Sequence, residues 1–325
     1  MGSYKKHTKE NLFQQIKNKF FCIEESTPSH TTYSIFGIKF HCLKAEIKKK
    51  RIDFIKYYQS FETASMIPKA EGTLRLVQEA EAVFLDLFQK FCEENNLRYW
   101  IDFGTLLGAI RHKGFIPWDD DIDIAMPRDD YERLISDFKD GFPNYPDFKI
   151  FFLNNKRNKC IIKIKHKNSK NLFIDIFPYD FYSTKLDKVG KQELSAKIHE
   201  VIKPHFFKIF KSVEQIRDNF KVKTKKEILN GKDVDLNCEP AIFMAIDFPH
   251  NLKNKVYDWE TIFPLKKIEF ENKMFYAPNN LNAVLESIYG DYMKIPQNSY
   301  PRHSNYINVP EEEKTILEKL AKWNE

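Results

Sequence analysis

Six aspartates fall within twelve residues of this chain: Asp119, Asp120, Asp121, Asp123, Asp129 and Asp130. Carboxylates packed that closely repel one another, which costs stability unless a cation or hydrogen bonds offset it. The run sits in a chain whose formal net charge is +6. In a strand, Asp121-Ile122-Asp123 puts two carboxylates on one face while Ile122 and Ile124 point into the core. Two converging carboxylates suit a hard divalent cation such as magnesium, which takes oxygen ligands and binds phosphates through its remaining positions. A third carboxylate would complete a two-metal site. Asp175 is the candidate, mid-strand in Leu172-Phe173-Ile174-Asp175-Ile176-Phe177, where an unpaired charge is costly.

Each of these features has a plainer competitor. An acidic run is usually a solvated loop or helix start, but this one follows Ile116-Pro117-Trp118 and alternates with apolar residues. Asp175 alone fits a hydrogen-bonded structural aspartate as well. Asp129 and Asp130 are better explained as the first turn of a helix, where acids suit the dipole.

Three of the chain's ten glycines, Gly104, Gly108 and Gly114, fall in one eleven-residue window just before the acids. Gly104-Thr105 ends a strand and opens a helix, so its backbone amides and the Thr105 hydroxyl are placed to hold a phosphate. Arg111, His112 and Lys113 stand between that turn and the aspartates, where they would neutralise charge developing on a phosphate. Individually Arg111 and Lys113 also read as surface charges, and His112 as a core histidine.

The elements that must position these groups follow from periodicity. Residues 72–96 read as a helix, with Leu76, Val83, Phe84, Leu87, Phe88 and Phe91 on one stripe and Gln78, Glu79, Glu81 and Lys90 off it. Residues 98–103 read as a strand, 104–110 as a turn opening a helix, 122–126 as a strand and 129–138 as a helix. Three more strands are expected at 148–153, 160–166 and 172–177. The middle one alternates Ile162 and Ile164 with Lys163 and Lys165, which gives one wet face. Residues 185–260 read as mostly helical, 261–295 as short strands and a helix, and 310–323 as an amphipathic helix. Ahead of this, residues 11–22 suggest a short amphipathic helix and 33–43 a strand or hairpin. The cations at 48–51 lead into a solvated helix face or a membrane-surface contact. Helices mixed with strands in this order indicate an α+β or α/β core.

Composition narrows the functional classes. The fraction of hydrophobic residues, 42%, excludes a disordered chain, and 325 residues suffice for one large core or a main domain with an extension. Five widely spaced cysteines without a CxxC pair argue against a disulfide framework or structural zinc. The start Met1-Gly2-Ser3-Tyr4-Lys5-Lys6 lacks the apolar core of a signal peptide, and no uncharged apolar run nears the ~20 residues of a membrane span. These features point to a soluble protein of a reducing compartment. The lysine-rich 185–260 segment carries no recognisable RNA- or DNA-binding signature, so nucleic acid is not expected as a partner.

Residues 99–124, from Tyr99-Trp100 through Gly104-Thr105-Leu106-Leu107-Gly108 to Asp119-Asp120-Asp121-Ile122-Asp123, closely resemble the signature of the LicD family. That family includes bacterial phosphocholine transferases and is related to the fukutin-type proteins. Arg75 and Gln78 fit its pattern. Ile174-Asp175-Ile176-Phe177-Pro178-Tyr179-Asp180 is similar to its later acidic strand. Tyr289-Gly290-Asp291-Tyr292-Met293, with Pro296, Arg302 and His303, is similar to its C-terminal motif. The resemblance covers 70–182 densely, thins over 183–285, returns over 286–304 and does not reach residues 1–67.

The resemblance implies an α+β fold with a nucleotidyltransferase-like mixed sheet flanked by helices. Its parts would be an N-terminal extension (1–67), a catalytic core (68–182) and a mostly helical acceptor-site and C-terminal region (183–325). It implies a magnesium- or manganese-dependent transfer of a phosphoalcohol from CDP-choline, or a similar CDP-alcohol, to a hydroxyl of a lipopolysaccharide, capsule or teichoic-acid type glycan, with CMP released. Asp121, Asp123 and Asp175 match the family's metal carboxylates in order. Gly104, Thr105, Arg111, His112 and Lys113 would steady the phosphates, Asp119 and Asp120 would support the strand or touch the donor, and Arg302 and His303 would join the substrate site. A choline donor calls for an aromatic cage, for which Trp118 and Tyr179 are candidates. The place of work would be the cytoplasm, with a peripheral contact at the inner face of the plasma membrane left open. Two rivals stand beside this reading: a nucleotidyltransferase releasing pyrophosphate, and a non-catalytic scaffold of glycan assembly.

Overall fold

The computed structural model describes residues 21–26, 30–35, 38–43, 52–53, 55–152, 162–202, 226, 228–229, 234, 236–244, 255–294 and 309–322. They fall into two compact units, one formed by those before residue 63 and one by those from 63 onward. In the first unit, β1 (Phe21–Ser26), β2 (His30–Ile35) and β3 (Ile38–Leu43) make an antiparallel sheet in chain order. The hairpin expected at 33–43 is therefore present as β2–β3. The helix expected at 11–22 lies outside the described residues up to residue 20, and its last two residues begin β1. The cations at 48–51 also lie outside.

The second unit starts with α1 (Gly72–Glu94). Val77, Ala80, Phe84, Phe88 and Phe91 recur every three or four residues and are buried. Asn95 stops the helix, its amide and its side chain both donating to Phe91 O, and Asn96 takes a positive φ of 51° beyond it. Next come β4 (Trp100–Ile101), α2 (Phe103–His112), β5 (Ile122–Pro127), α3 (Arg128–Phe138), β6 (Phe148–Phe152), β7 (Ile162–His166) and β8 (Phe173–Phe181). After these lie α4 (Lys188–Ile202), β9 (Ile242–Met244), β10 (Val256–Tyr257), α5 (Trp259–Ile262), β11 (Lys266–Phe270), β12 (Lys273–Ala277), α6 (Leu281–Tyr289) and α7 (Glu311–Ala321). The class is α+β, as expected from the sequence.

Seven strands form the main sheet, in the order β10-β9-β8-β5-β4, with β7 also on β8 and β6 on β7. Only β5 and β8 run parallel; the other pairs are antiparallel. Ile122 and Ile124, Ile162 and Ile164, and Ile174 and Ile176 are fully buried and share one core with Phe84, Phe88 and Phe91 of α1. On another side of α1, α7 packs against it through Leu317, Leu320, Val77, Ala80 and Val83 in a separate cluster.

The structure corrects three expectations. Phe103 belongs to α2, leaving β4 two residues long. β8 continues through Pro178 to Phe181, although a proline is normally excluded from a central strand. Pro178 falls between Ile176, paired to β7, and Tyr179, paired to β9, so that edge of β8 has no neighbour awaiting its N–H. Finally, the span 185–260, expected to be mostly helical, contributes β9 and β10 to the main sheet.

Candidate active site

The parallel register of β5 and β8 sets Asp123 directly beside Asp175, with Ile122 beside Ile174 and Ile124 beside Ile176. The two carboxylates share the face opposite the isoleucine core. Asp121, one residue ahead of β5, joins them: Asp121, Asp123 and Asp175 offer oxygens that all lie within 4.8 Å of one another. A second trio, Asp119, Asp120 and Asp121, meets the same criterion and shares Asp121 with the first. Burial first, then the charges of Asp121, Asp175, Asp119 and Asp102, push the Asp123 carboxyl well above the usual range. An all-oxygen donor set under mutual repulsion is what a magnesium or manganese ion would relieve, so these residues fit such an ion.

The loop bearing the acids is anchored from several sides. Gln78 Nε2 of α1 donates to Asp119 O at 2.8 Å and to Ile116 O at 3.3 Å. Asp119 N donates to Ile116 O. Glu271, in the β11–β12 turn, accepts from both terminal nitrogens of Arg75 (3.0 and 2.7 Å), from Lys69 (2.9 Å) and from Phe115 N (3.1 Å), while its own amide donates to Lys113 O. Charge-assisted bonds of this kind are the strong ones, and this carboxylate is nearly buried. A methyl group on Gly114 would collide with it.

At the head of α2 the chain turns sharply. Phe103 holds φ 42°, a left-handed conformation uncommon for a non-glycine residue. Asp102 caps the helix by accepting from Phe103 N and also accepts the Tyr179 hydroxyl at 2.7 Å. Burial raises the Asp102 carboxyl to about 6 against the pull of those two bonds. The turn brings Gly104 against the acids: a Cβ there would lie 2.7 Å from Asp119 Oδ2 and 3.7 Å from Asp123 Oδ2. Thr105 is buried, and its hydroxyl accepts from Asp123 N at 2.8 Å, so it ties α2 to β5.

A family model, described as the nucleotidyltransferase domain of LicD, FKTN and FKRP, matches residues 96–208. The lipopolysaccharide cholinephosphotransferase LicD of Haemophilus influenzae is 30% identical over 260 residues, which is 71% of this chain and 96% of that protein. The chain belongs to the LicD family. An uncharacterised protein of Rickettsia typhi is 35% identical over 117 residues, covering 33% of this chain and 37% of that one. Human ribitol 5-phosphate transferase FKRP is 28% identical over 87 residues, 27% of this chain and 18% of that one.

Within this LicD chain the structure sorts the other expected residues. Lys113 is exposed and ends α2 at φ 56°. Arg111 is nearly buried at the far end of α2 and donates to Lys294 O at 2.8 Å; burial lowers its affinity for a proton, against the opposing pull of Tyr289, Asp291 and Tyr292. His112 is half-buried, and burial followed by the Arg111 charge lowers it to about 4, which keeps it neutral. Trp118 packs half-buried against the core. Tyr179 is fully buried with its hydroxyl engaged by Asp102, so it stands behind the site as a support. Asp130 pairs with Arg98 at 2.6 Å and Asp180 with Arg128, which agrees with Asp129 and Asp130 opening α3. Arg302 and His303 lie outside the described residues.

Three further residues belong to the neighbourhood. Lys163 Nζ lies 2.8 Å from the Asp175 carboxylate, its cross-strand partner. The alternation of Ile162, Lys163, Ile164 and Lys165 in the sequence signals that face but not the pairing. Tyr289 is 41% exposed, yet burial of its hydroxyl end and the charges of Asp123, Asp102 and Asp119 push that hydroxyl far up. The Tyr289-Gly290-Asp291-Tyr292-Met293 motif was the signal for it. Glu81 is fully buried, and neither carboxylate oxygen has a hydrogen-bond partner among the described residues. Burial, then Asp121, Asp120 and Asp119, raise it well above the ordinary range. Helical periodicity places it off the apolar stripe and gives no sign of this burial.

Proposed function

We propose that the protein transfers a phosphoalcohol, phosphocholine or a close analogue, from a CDP-alcohol to a hydroxyl of a cell-surface glycan and releases CMP. The observation that carries this reading is the meeting of Asp121, Asp123 and Asp175 beside Gly104, in a chain similar along nearly the whole length of a lipopolysaccharide cholinephosphotransferase. Asp121, Asp123 and Asp175 would hold a divalent cation, magnesium or manganese, which supplies neutralisation of the donor's phosphate charge.

The chain's own groups do the rest. Gly104 leaves space at the mouth of α2, and the amides of its first turn hold phosphate oxygens. Thr105 fixes β5 and therefore the register of Asp123. Tyr289 and Asp119 border the space a donor occupies. The acceptor oxygen bonds to the phosphorus that bears the alcohol. The bond from that phosphorus to the bridging oxygen breaks, and CMP leaves with the bridging oxygen. Asp175, steadied by Lys163, is the third ligand or takes the hydroxyl proton. Positioning and charge neutralisation dominate, as in phosphoryl transfer generally. This reading puts the work in the cytoplasm and leaves open a peripheral contact at the inner face of the plasma membrane. No helix among the described residues is long and apolar enough to cross a membrane.

The test is a panel of CDP-choline, CDP-ethanolamine, CDP-ribitol and CDP-glycerol with magnesium and a glycan acceptor, with CMP and pyrophosphate both measured. CMP release that needs the metal and is accelerated by acceptor is expected. Pyrophosphate release from a nucleoside triphosphate, with no CMP from any CDP-alcohol, would establish nucleotidyl transfer instead.

A further inference from the structure

The face of the sheet that carries Asp175 does not end there. Across β6 and β7, Lys149 pairs with Lys165 and Phe151 with Lys163. Across β7 and β8, Lys165 pairs with Phe173 and Lys163 with Asp175. Partners across a ladder point to the same side, so these six side chains share one face. The opposite face, with Phe148, Ile150, Ile162, Ile164 and Ile174, is sealed in the core.

Among the described residues, the shared face is covered on one side of Asp175 and open on the other. Two residues after Asp175, Phe177 is packed edge-on against the Phe103 ring of α2, with centroids 4.9 Å apart. Two residues before it, Phe173 is half-buried, has no such ring contact among the described residues and lies under lysines. Lys163 Nζ stands 3.6 Å from the Phe173 centroid, and Lys165 Nζ stands 4.5 Å from the Phe151 centroid. Phe151 is 44% exposed, and Lys149 is exposed beside it. A wet sheet face is normally polar, so two phenylalanines among three lysines ask for an explanation. Burial, then the neighbouring Lys163 charge, hold Lys165 below the ordinary lysine range, which an anion would relieve.

Strands lie about 4.8 Å apart and residues rise about 3.3 Å along them, so the strip extends roughly 10 Å from β8 to β6. That is room for a short run of sugar rings. Pyranose rings lay their C–H faces on aromatic side chains, and phosphate or carboxylate substituents would pair with the ammonium groups.

We propose that Lys149, Phe151, Lys165 and Phe173 form the acceptor subsite, taking a saccharide that carries phosphate or carboxylate groups and leading its hydroxyl to Asp175. This rests on the phosphoalcohol-transfer reading for the hydroxyl's destination; binding of the saccharide can be tested without it. Continuity with Asp175 favours a saccharide over a nucleic acid, which aromatic and basic residues would also suit.

The probe is deacylated lipopolysaccharide core oligosaccharide, with its phosphates intact or stripped. Its binding to the full chain is measured by calorimetry, and acceptor-stimulated and acceptor-free CMP release from CDP-choline are followed separately. Phe151→Ala and Lys149→Gln/Lys165→Gln should each weaken binding of the phosphorylated probe by about tenfold, on the scale of one lost stacking or charged contact. Acceptor-free CMP release and thermal stability should stay unchanged, and stripping the phosphates should weaken wild-type binding to the same degree. Unchanged binding in folded variants overturns the proposal. So does a wild type that binds neither form of the probe, or one that binds a random single-stranded oligonucleotide through these residues instead. Absence of CMP from every CDP-alcohol, with binding intact and sensitive to Phe151→Ala, would refute the transfer chemistry and leave the subsite standing.

Discussion

Gly104 and Gly108 lie one helical turn apart on α2, yet the structure assigns them opposite consequences on mutation to alanine. At Gly104 the new methyl would sit 2.7 Å from Asp119 Oδ2, about 0.7 Å inside the 3.4 Å at which ordinary contact begins. The atom it meets is the far end of a side chain rather than main chain, so the fold can yield by shifting that carboxylate. Replacing glycine by alanine inside a helix also favours the folded state by up to ~1 kcal/mol. Gly104→Ala should therefore melt within about 1 kcal/mol of the parent. Turnover should suffer far more, because the displaced Asp119 belongs to one acidic trio and borders the other. A displacement approaching 1 Å at such a site is worth about 10²-fold in rate.

At Gly108 the methyl would meet main chain: Gly114 O at 2.5 Å and Ile116 N at 3.0 Å. Neither can retreat without moving the loop clamped by Gln78 and Glu271. Gly108→Ala should lose roughly 1–3 kcal/mol, the usual result of overpacking. The assay pairs denaturant melts of both variants with metal-dependent CMP release and manganese affinity. If Gly104→Ala turns over like the parent with unchanged manganese affinity, Gly104 does not border the reacting groups and the site is misassigned. If Gly108→Ala is as stable as the parent, the close packing of α2 on the loop is wrong.

Other expectations follow from the same geometry. Asp123→Asn should abolish metal-dependent turnover while raising the melting temperature in chelator, because it removes a carboxylate whose ionisation the fold opposes; a lower melting temperature in chelator would contradict the repulsion. Glu271→Gln keeps an acceptor for Phe115 N but loses the charged pairing with Arg75, so a loss of about 1–3 kcal/mol and weaker manganese binding are expected, and unchanged values of both would refute the clamp. His112 is depressed to about 4 from 6.5, so its contribution is complete above pH 6.5 and lost as the pH falls through 4. His112→Gln should flatten the acid limb of the stability profile by about 2 kcal/mol relative to the parent, read by urea unfolding at several pH values, and an identical limb would show the imidazole is not buried neutral. The comparison must be with the parent, because Asp102, raised to about 6, gains stability over the same fall in pH.

How much of this was legible follows from how strongly each residue's neighbours are written in its own segment. The face shared by Asp121 and Asp123 follows from strand period alone, and Asp175 stood out because a charge mid-strand among Ile174, Ile176 and Phe177 is conspicuous. β9 and β10 could not be read, since strands of three and two residues are too short to show alternation. Glu81 was misjudged because periodicity marks one apolar stripe, whereas α1 is covered by the main sheet on one side and by α7 on another. Tyr179 and Thr105 carry side chains that suit a ligand as well as a scaffold. Their types did not reveal that one serves Asp102 and the other Asp123 N, a choice made by residues 77 and 18 positions away.

The arrangement of charge explains why a net basic chain concentrates acid at one point. Arg75 is engaged by Glu271, Arg98 by Asp130 and Arg128 by Asp180, so these guanidinium groups lock the scaffold around the site. Inside the cluster, Lys163 answers Asp175, while Asp123 and the buried Glu81 are raised first by burial and then by the carboxylates around them. The fold thus concentrates acid at one focus within a body of net charge +6. A divalent cation relieves the focus locally, and the surrounding positive field favours the approach of an anionic partner. A phosphate-bearing donor bound with a cation satisfies both halves of that arrangement, whereas a neutral ligand satisfies neither. This is the electrostatic ground for expecting metal and donor to bind with positive coupling, each raising the affinity of the other by the same factor.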